Sequence, residues 1–249
     1  MPERSFGFTL FIRACERKTG IRWVHTGKTH EDMAREAETR ASFYRTLASL
    51  YFKELDQAGI DALSNEDLTA TGVDDELMEE GYADMAAYLK HRDGGTRQEL
   101  ATDFAGAILA AGSYDDRRAT PYESVFTSES GLLMQEARDD VYRRFCEARV
   151  AVDEGLRTRR SPEFRVRVHG CSGRRAARAL HAGDTAAAAS ALRTQREFHR
   201  DHLLNWIDAY CDCLQSCAQT RFYRGVAKLT RGFVHMDEDM MDDAAETLC

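Results

Sequence analysis

Only three prolines occur along the 249 residues, and the stretches between them repeat apolar side chains at helical spacing. A proline inside a helix removes a hydrogen bond and costs about 3 kcal/mol, so their scarcity leaves long helices open to this chain. Phe43, Leu47, Leu50 and Tyr51 follow i, i+4, i+7, i+8 and predict a helix over residues 34–55. Met78, Tyr82, Met85 and Leu89 form a second such stripe. Thr96 and Glu99 have the spacing of a capping box, in which each side chain satisfies a free backbone N–H. They open a third helix, through Leu100, Phe104 and Ile108, to an arrest at Gly112. Met134, Ala137, Val141 and Phe145 predict a long helix over 130–152, and Trp206, Tyr210, Cys213, Leu214 and Cys217 line another. Tyr223, Val226, Ala227, Thr230 and Phe233 line the last. Ala182-Gly183-Asp184 reads as a helix end in which glycine takes the left-handed conformation and aspartate caps the next helix. Strand-like alternation is confined to Phe164, Val166 and Val168. The predicted fold class is all-α.

No Pro/Gly/Ser-rich linker divides the chain, which predicts a single helical domain with a sizeable core. Its apolar runs fall far short of the roughly 18 residues that span a bilayer, and FGFTLFI at 6–12 lacks the frame of a secretory signal. A cytoplasmic location without membrane insertion is therefore expected. Seven cysteines without framework spacing suit a reducing compartment better than a disulfide scaffold. The net charge of −8 disfavours nucleic acid, whose phosphates need a basic face, and is compatible with a basic peptide partner. The acidic end, HMDEDMMDDAAETLC, is expected to fray.

The motifs of common catalysts are missing. There is no HExxH, no GxSxG elbow and no glycine-rich phosphate loop, so nothing nominates a nucleophile or a base. Cys211, Cys213 and Cys217, with His199 and His202 nearby, invite a metal reading. On a helix, however, Cys211 and Cys213 point about 200° apart, and buried structural cysteines are the preferred expectation. Asp201-His202 suggests an acid/base dyad, but adjacent helical residues face different ways, which favours a capping or junction role.

The segment PYESVF, residues 121–126, is different in kind. Its proline fixes an extended approach, after which aromatic and polar side chains are displayed together. Two readings stand side by side: a plug in which Tyr122 and Phe126 fill a gap between helix ends, and an edge that holds a peptide or ligand.

PYESVF followed by LLMQEAR resembles the TorD/DmsD/NarJ family of cytoplasmic chaperones for molybdenum oxidoreductases. RASFYRTLASLYFKEL at 40–55 and the block DFAGAILAAGSYDDRRATPYESVF are similar to that family's opening helix and its central helix and loop. The C-terminal stretch with its AGD joint, HLL-W segment and FYRGVAKLTRGF ending agrees in order and spacing. The resemblance implies an all-helical, non-catalytic protein without cofactor or metal, monomeric or dimeric. It would bind the twin-arginine signal peptide, and often the body, of an apo-oxidoreductase until molybdopterin is inserted, delaying export. The peptide-facing region of the family maps onto Phe104, Ile108, Tyr122, Ser124 and Phe126. Glu123 is placed to meet a signal-peptide arginine in an exposed pair worth about 0–1 kcal/mol.

Two segments depart from the family pattern. Residues 157–175, RTRRSPEFRVRVHGCSGRR, carry seven arginines where the family usually has a Pro-x-Asp-His phrase and an apolar helix. The expectation there is an exposed basic loop or a displaced reading frame, the second of which would leave the protein inactive. Residues 1–32 precede the family's first helix and are expected to be a disordered extension or to lie before a start at Met33. The expected organisation is thus an extension over 1–32, a TorD-like helical domain over 33–236 and an acidic tail over 237–249. The alternative function is that of a NarJ-like assembly factor for a nitrate-reductase-type subunit that is not exported.

Overall fold

Helix follows helix in the computed structural model, which describes residues 28–70, 73–109, 119–121, 123–127 and 173–248, with only the backbone at position 124. The helices are α1 (His30–Phe52), α2 (Gln57–Ser64), α3 (Glu76–Lys90), α4 (Thr96–Asp103), α5 (Glu123–Thr127), α6 (173–181), α7 (Thr185–His199), α8 (Ile207–Cys217) and α9 (Arg221–Leu248). Wider π-helical turns extend α4 through Phe104–Ile108 and α7 through Arg200–Leu204. The fold is all-α, and no strand occurs among the described residues. The helix expected over 130–152, the arrest at Gly112 and the arginine-rich stretch up to residue 172 lie outside the described residues.

The described residues divide between two compact units that interleave along the chain. The first takes in 53–109, 119–120 and 207–239. Here α3 and α9 touch backbone to backbone, because a Cβ on Gly81 would stand 2.7 Å from the Gly225 carbonyl oxygen and one on Gly225 would stand 2.6 Å from that of Gly81. Only glycine permits so close an approach. Along the rim of this contact, Lys228 Nζ reaches Glu80 Oε2 and Asp84 Oδ2 at 2.9 Å each, and Arg221 Nε reaches Asp84 Oδ1 at 2.7 Å. Burial alone would raise the Asp84 pKa, but hydrogen bonds from Lys228 and Arg221 outweigh it and hold the carboxyl below its ordinary range.

Asp103, the last residue of α4, is buried and performs a task across 116 residues of sequence. Its carboxylate accepts from the backbone N–H groups of Gln219 at 2.9 Å and Thr220 at 2.8 Å, where α9 begins. An anion at a helix N-terminus meets both the unpaired N–H groups and the positive end of the dipole.

The second unit takes in 28–52, 121, 123–127, 173–206 and 240–248. One cluster of its core is built largely of small side chains: Met33, Ala34 and Ala37 of α1 meet Ala177, Leu180 and Ala188. A Cβ on Gly173 would lie 3.3 Å from the Ala37 carbonyl oxygen, which shows how close α6 runs to α1. The predicted joint holds in detail: Gly183 has φ +72°, and the Asp184 side chain accepts from Ala187 N at 2.9 Å.

Three expectations are corrected. Thr96 and Glu99 do not form a reciprocal box; Thr96 Oγ1 accepts from Asp93 N at 2.8 Å, while Glu99 accepts from the Tyr88 hydroxyl at 2.7 Å. The capping pair of the first helix is instead Thr29 and Asp32, whose side chains accept each other's backbone N–H, so that α1 begins at His30 and buries Met33 within it. The acidic end, expected to fray, is helical as far as Leu248 in α9. Asp237, Met240 and Met241 are buried along it, and Arg196 of α7 pairs with Asp242.

Candidate functional site

The opening of α5 carries the best-defined polar cluster in the second unit. Pro121 is buried, and the chain turns directly into α5 at Glu123, whose side chain is 4% exposed. Asn205 Nδ2 donates to Glu123 Oε1 at 3.0 Å, and His202 Nδ1 lies 3.3 Å from Glu123 Oε2. Both partners come from the wide turn after α7, where the π-helical backbone re-aims successive side chains. Trp206 Nε1 donates to the His202 carbonyl oxygen at 2.7 Å, and the ring of Phe198 lies 5.0 Å from that of His202. Half-buried Phe126 stacks on Trp206 with ring centres 5.9 Å apart and planes 22° apart.

Glu123 is therefore corrected in one respect. Rather than standing exposed to meet an arginine, its carboxylate is turned inward, because a buried charge must be met by donors and His202 and Asn205 supply them. The Asp201-His202 dyad is not formed either. Arg200 Nε reaches Asp201 at 3.1 Å, while His202 faces Glu123. Tyr122 and the side chain of Ser124 lie outside the described residues.

Phe104 and Ile108 belong to the first unit, where they fill its core at 3% and 1% exposure. Phe104 tilts against Tyr223 at 6.2 Å between ring centres. The π-helical turn they occupy also buries Ala107 and leaves Leu109, 57% exposed, as the next residue. Burial pushes the Tyr223 hydroxyl and the Tyr88 hydroxyl up beyond their ordinary range, the latter with help from its bond to Glu99, so both remain protonated.

Among the described residues neither unit gathers a catalytic set. Among the described residues no three His, Cys, Asp or Glu side chains converge to hold a metal. Cys211 is buried, and burial pushes its thiol up, whereas Cys213 and Cys217 are half-buried on another side of α8. No helix among the described residues is long and apolar enough to cross a membrane.

Sequence reasoning missed Asn205, His202 and Asp103 as partners, and Leu109 as an exposed apolar side chain. Each depends on a tertiary pairing or on a π-helical turn, and spacing along one chain gives no signal for either.

Comparison with known proteins agrees with the resemblance drawn from PYESVF and its companions. The family described as nitrate reductase delta subunit matches residues 72–160. Proteins named chaperone protein TorD are similar over most of the chain. That of Vibrio cholerae (strain O395) is 28% identical over 212 residues, covering 83% of this chain and 93% of its own. Those of Photobacterium profundum and Vibrio parahaemolyticus are 28% and 25% identical, each covering 80% of this chain and 93% of the relative.

Proposed function

We propose that the chain, which is similar to proteins named chaperone protein TorD, serves the maturation of a molybdoenzyme without catalysing a reaction. In this reading it binds the twin-arginine signal peptide and the apo form of a molybdopterin oxidoreductase in the cytoplasm. It supports cofactor insertion and delays export. The observation that carries the proposal is the alignment with proteins named chaperone TorD across 93% of their own length.

Physical chemistry is compatible with the reading. A twin-arginine leader offers a basic segment and an apolar segment. A protein of net charge −8 would steer the first by long-range attraction. Apolar burial, at about 25 cal/mol per Å², would supply most of the affinity before ordering costs are subtracted. Phe126, with Tyr122 and Ser124, remains the proposed peptide-facing region, whereas Phe104 and Ile108 fill the core of the first unit. The inward set of Glu123 assigns it to holding the segment in place. Leu109, in the first unit, is proposed as a peptide-facing position in its own right because it offers apolar surface to solvent.

A second reading is favoured by the match to the nitrate reductase delta subunit family over 72–160. Under it the protein holds the body of a subunit that is not exported. Fluorescence anisotropy with a labelled twin-arginine leader, beside capture of the leaderless apo-subunit encoded next to this gene, separates the two. Leader binding that weakens when both arginines become glutamine supports the first. Capture of the leaderless subunit alone supports the second, and failure of both removes the chaperone reading.

A further inference from the structure

We infer that the last turns of α9, residues 242–248, are a displaceable strap over an apolar groove of the second unit, and that an apolar helical segment with a basic flank takes their place. The inference rests on the chaperone reading above, in which a twin-arginine leader supplies such a segment. The groove is lined by Met33 and Ala37 of α1, Leu180 of α6 and Ala188 of α7, and Ala244 and Leu248 of α9 pack against it.

The strap is held loosely. Met241 is the last buried residue of α9, and beyond it every side chain is exposed or half-buried, Ala244 and Leu248 included. A cavity of about 20 Å³, room for a single water, remains between these two residues and the groove, so the lining lacks contacts that a larger side chain would supply. Arg196 of α7 pairs with Asp242, but both side chains are half-exposed, and an ion pair open to solvent adds little.

The sequence of the strap also opposes its own helix. Residues 239–248 hold Asp239, Asp242, Asp243 and Glu246 and no basic residue, so carboxylates stand at the end where the helix dipole is already negative. The helical form of this end therefore leans on the groove beneath it.

The same charges select the replacement. A leader that joins a basic segment to an apolar one can pair its arginines with the released carboxylates, while apolar side chains larger than that of Ala244 fill the cavity left open by the strap. An acidic segment would be repelled, and a polar one would bury nothing. Because only molecules with an open groove can bind, the strap lowers the affinity for any segment that fails to meet both demands.

The test uses the full-length chain. Leu248→Ser removes the larger apolar side chain of the strap without adding charge, and it is compared with wild type by anisotropy titration of a labelled twin-arginine leader. Hydrogen exchange of wild type, with and without the leader, gives a readout that needs no variant. The expected result is that Leu248→Ser binds the leader about fivefold tighter or more. In wild type the leader should quicken exchange at 242–248 and slow it in α6, and a leader whose arginines are replaced by glutamine should do so less. Leader binding that leaves exchange at 242–248 unchanged or slower overturns the inference and leaves the chaperone reading standing, as does wild-type or weaker affinity in a folded Leu248→Ser. Self-association of Leu248→Ser without tighter leader binding, read by sedimentation, would assign the groove to a second copy of the chain and overturn it equally. Absence of leader binding in both proteins removes the twin-arginine reading and the inference together.

Discussion

Asn205 donates its side-chain amide to the buried carboxylate of Glu123 across 82 positions of sequence, at 3.0 Å. With His202 beside it, this bond ties the PYESVF phrase to the HLL-W segment inside the second unit. The phrase is thus anchored by its acidic residue and offers part of one of its two aromatic residues, Phe126, to the outside.

Removal of the Glu123 carboxylate should therefore destabilise the protein. Glu123→Ala leaves the buried His202 ring without this acceptor, while water can reach the exposed Asn205 amide, a loss of about 1–3 kcal/mol. Glu123→Gln keeps an acceptor oxygen and should lose less than half as much. Urea unfolding followed by circular dichroism measures both. A Glu123→Ala midpoint equal to that of wild type would show that the cluster does not hold the segment.

Much of the helical scaffold was legible because it is local. The stripe Met78, Tyr82, Met85, Leu89 is buried along α3, and the AGD joint adopts the backbone its residues demand. The failures share a physical cause. Glu99 bonds Tyr88 and Asp103 caps α9, so each polar residue found a partner more than ten residues away in sequence, and spacing within a single helix is blind to that. Its charge alone predicts that the acidic end frays. Yet Met240 and Met241 recur beside charges and are buried, and apolar burial on one face outweighs the exposed charge on the other. For the candidate site, the phrase itself was visible, but the inward set of Glu123 was not, since its donors come from a turn that departs from ordinary helical periodicity.

The close contact of α3 and α9 makes a sharp prediction about two glycines. A methyl group on Gly225 would meet the Gly81 carbonyl oxygen at 2.6 Å and Met85 Cγ at 3.0 Å, forcing the helices apart. Gly225→Ala should cost about 1–3 kcal/mol. Gly106→Ala is the control, because nothing lies within 4 Å of its added methyl group, and there the gain in helical propensity leaves stability unchanged or slightly higher. Equal destabilisation by the two variants would refute the contact.

Asp84 sets a dependence on acid. Its folded pKa lies below the ordinary value of 3.8, so its contribution to stability is fully present above that value and is lost as pH falls through the folded pKa. Asp84→Asn should therefore be less stable than wild type near neutrality, and the gap should narrow as pH drops below 3.8. Urea midpoints at several pH values measure this. A gap that widens in acid would reverse the sign and remove the pairing with Lys228 and Arg221 as its source.

The N-terminal cap of α9 can be tested in the same way. Asp103→Ala strips acceptors from the N–H groups of Gln219 and Thr220 and should cost about 1–2 kcal/mol. Asp103→Asn retains one acceptor oxygen and lies between the two. Hydrogen exchange at the first turn of α9 should quicken in Asp103→Ala, and unchanged protection there would mean that the helix start is held by other contacts.

Binding of a leader peptide separates residues that build the scaffold from residues that meet the peptide. Phe104 lies in the core of its unit, so Phe104→Ala should cost about 3–5 kcal/mol, and any loss of binding would accompany a loss of folded protein. Leu109 is largely exposed, so Leu109→Ser should leave stability within about 0.5 kcal/mol. If the proposed region holds the apolar part of a leader, Leu109→Ser and Tyr122→Ala should each weaken binding several-fold at unchanged stability, because each removes apolar surface that the peptide would cover. Anisotropy titrations paired with unfolding curves read the two quantities separately. Leader binding of wild-type strength in both Leu109→Ser and Tyr122→Ala would remove each of these residues from the peptide site.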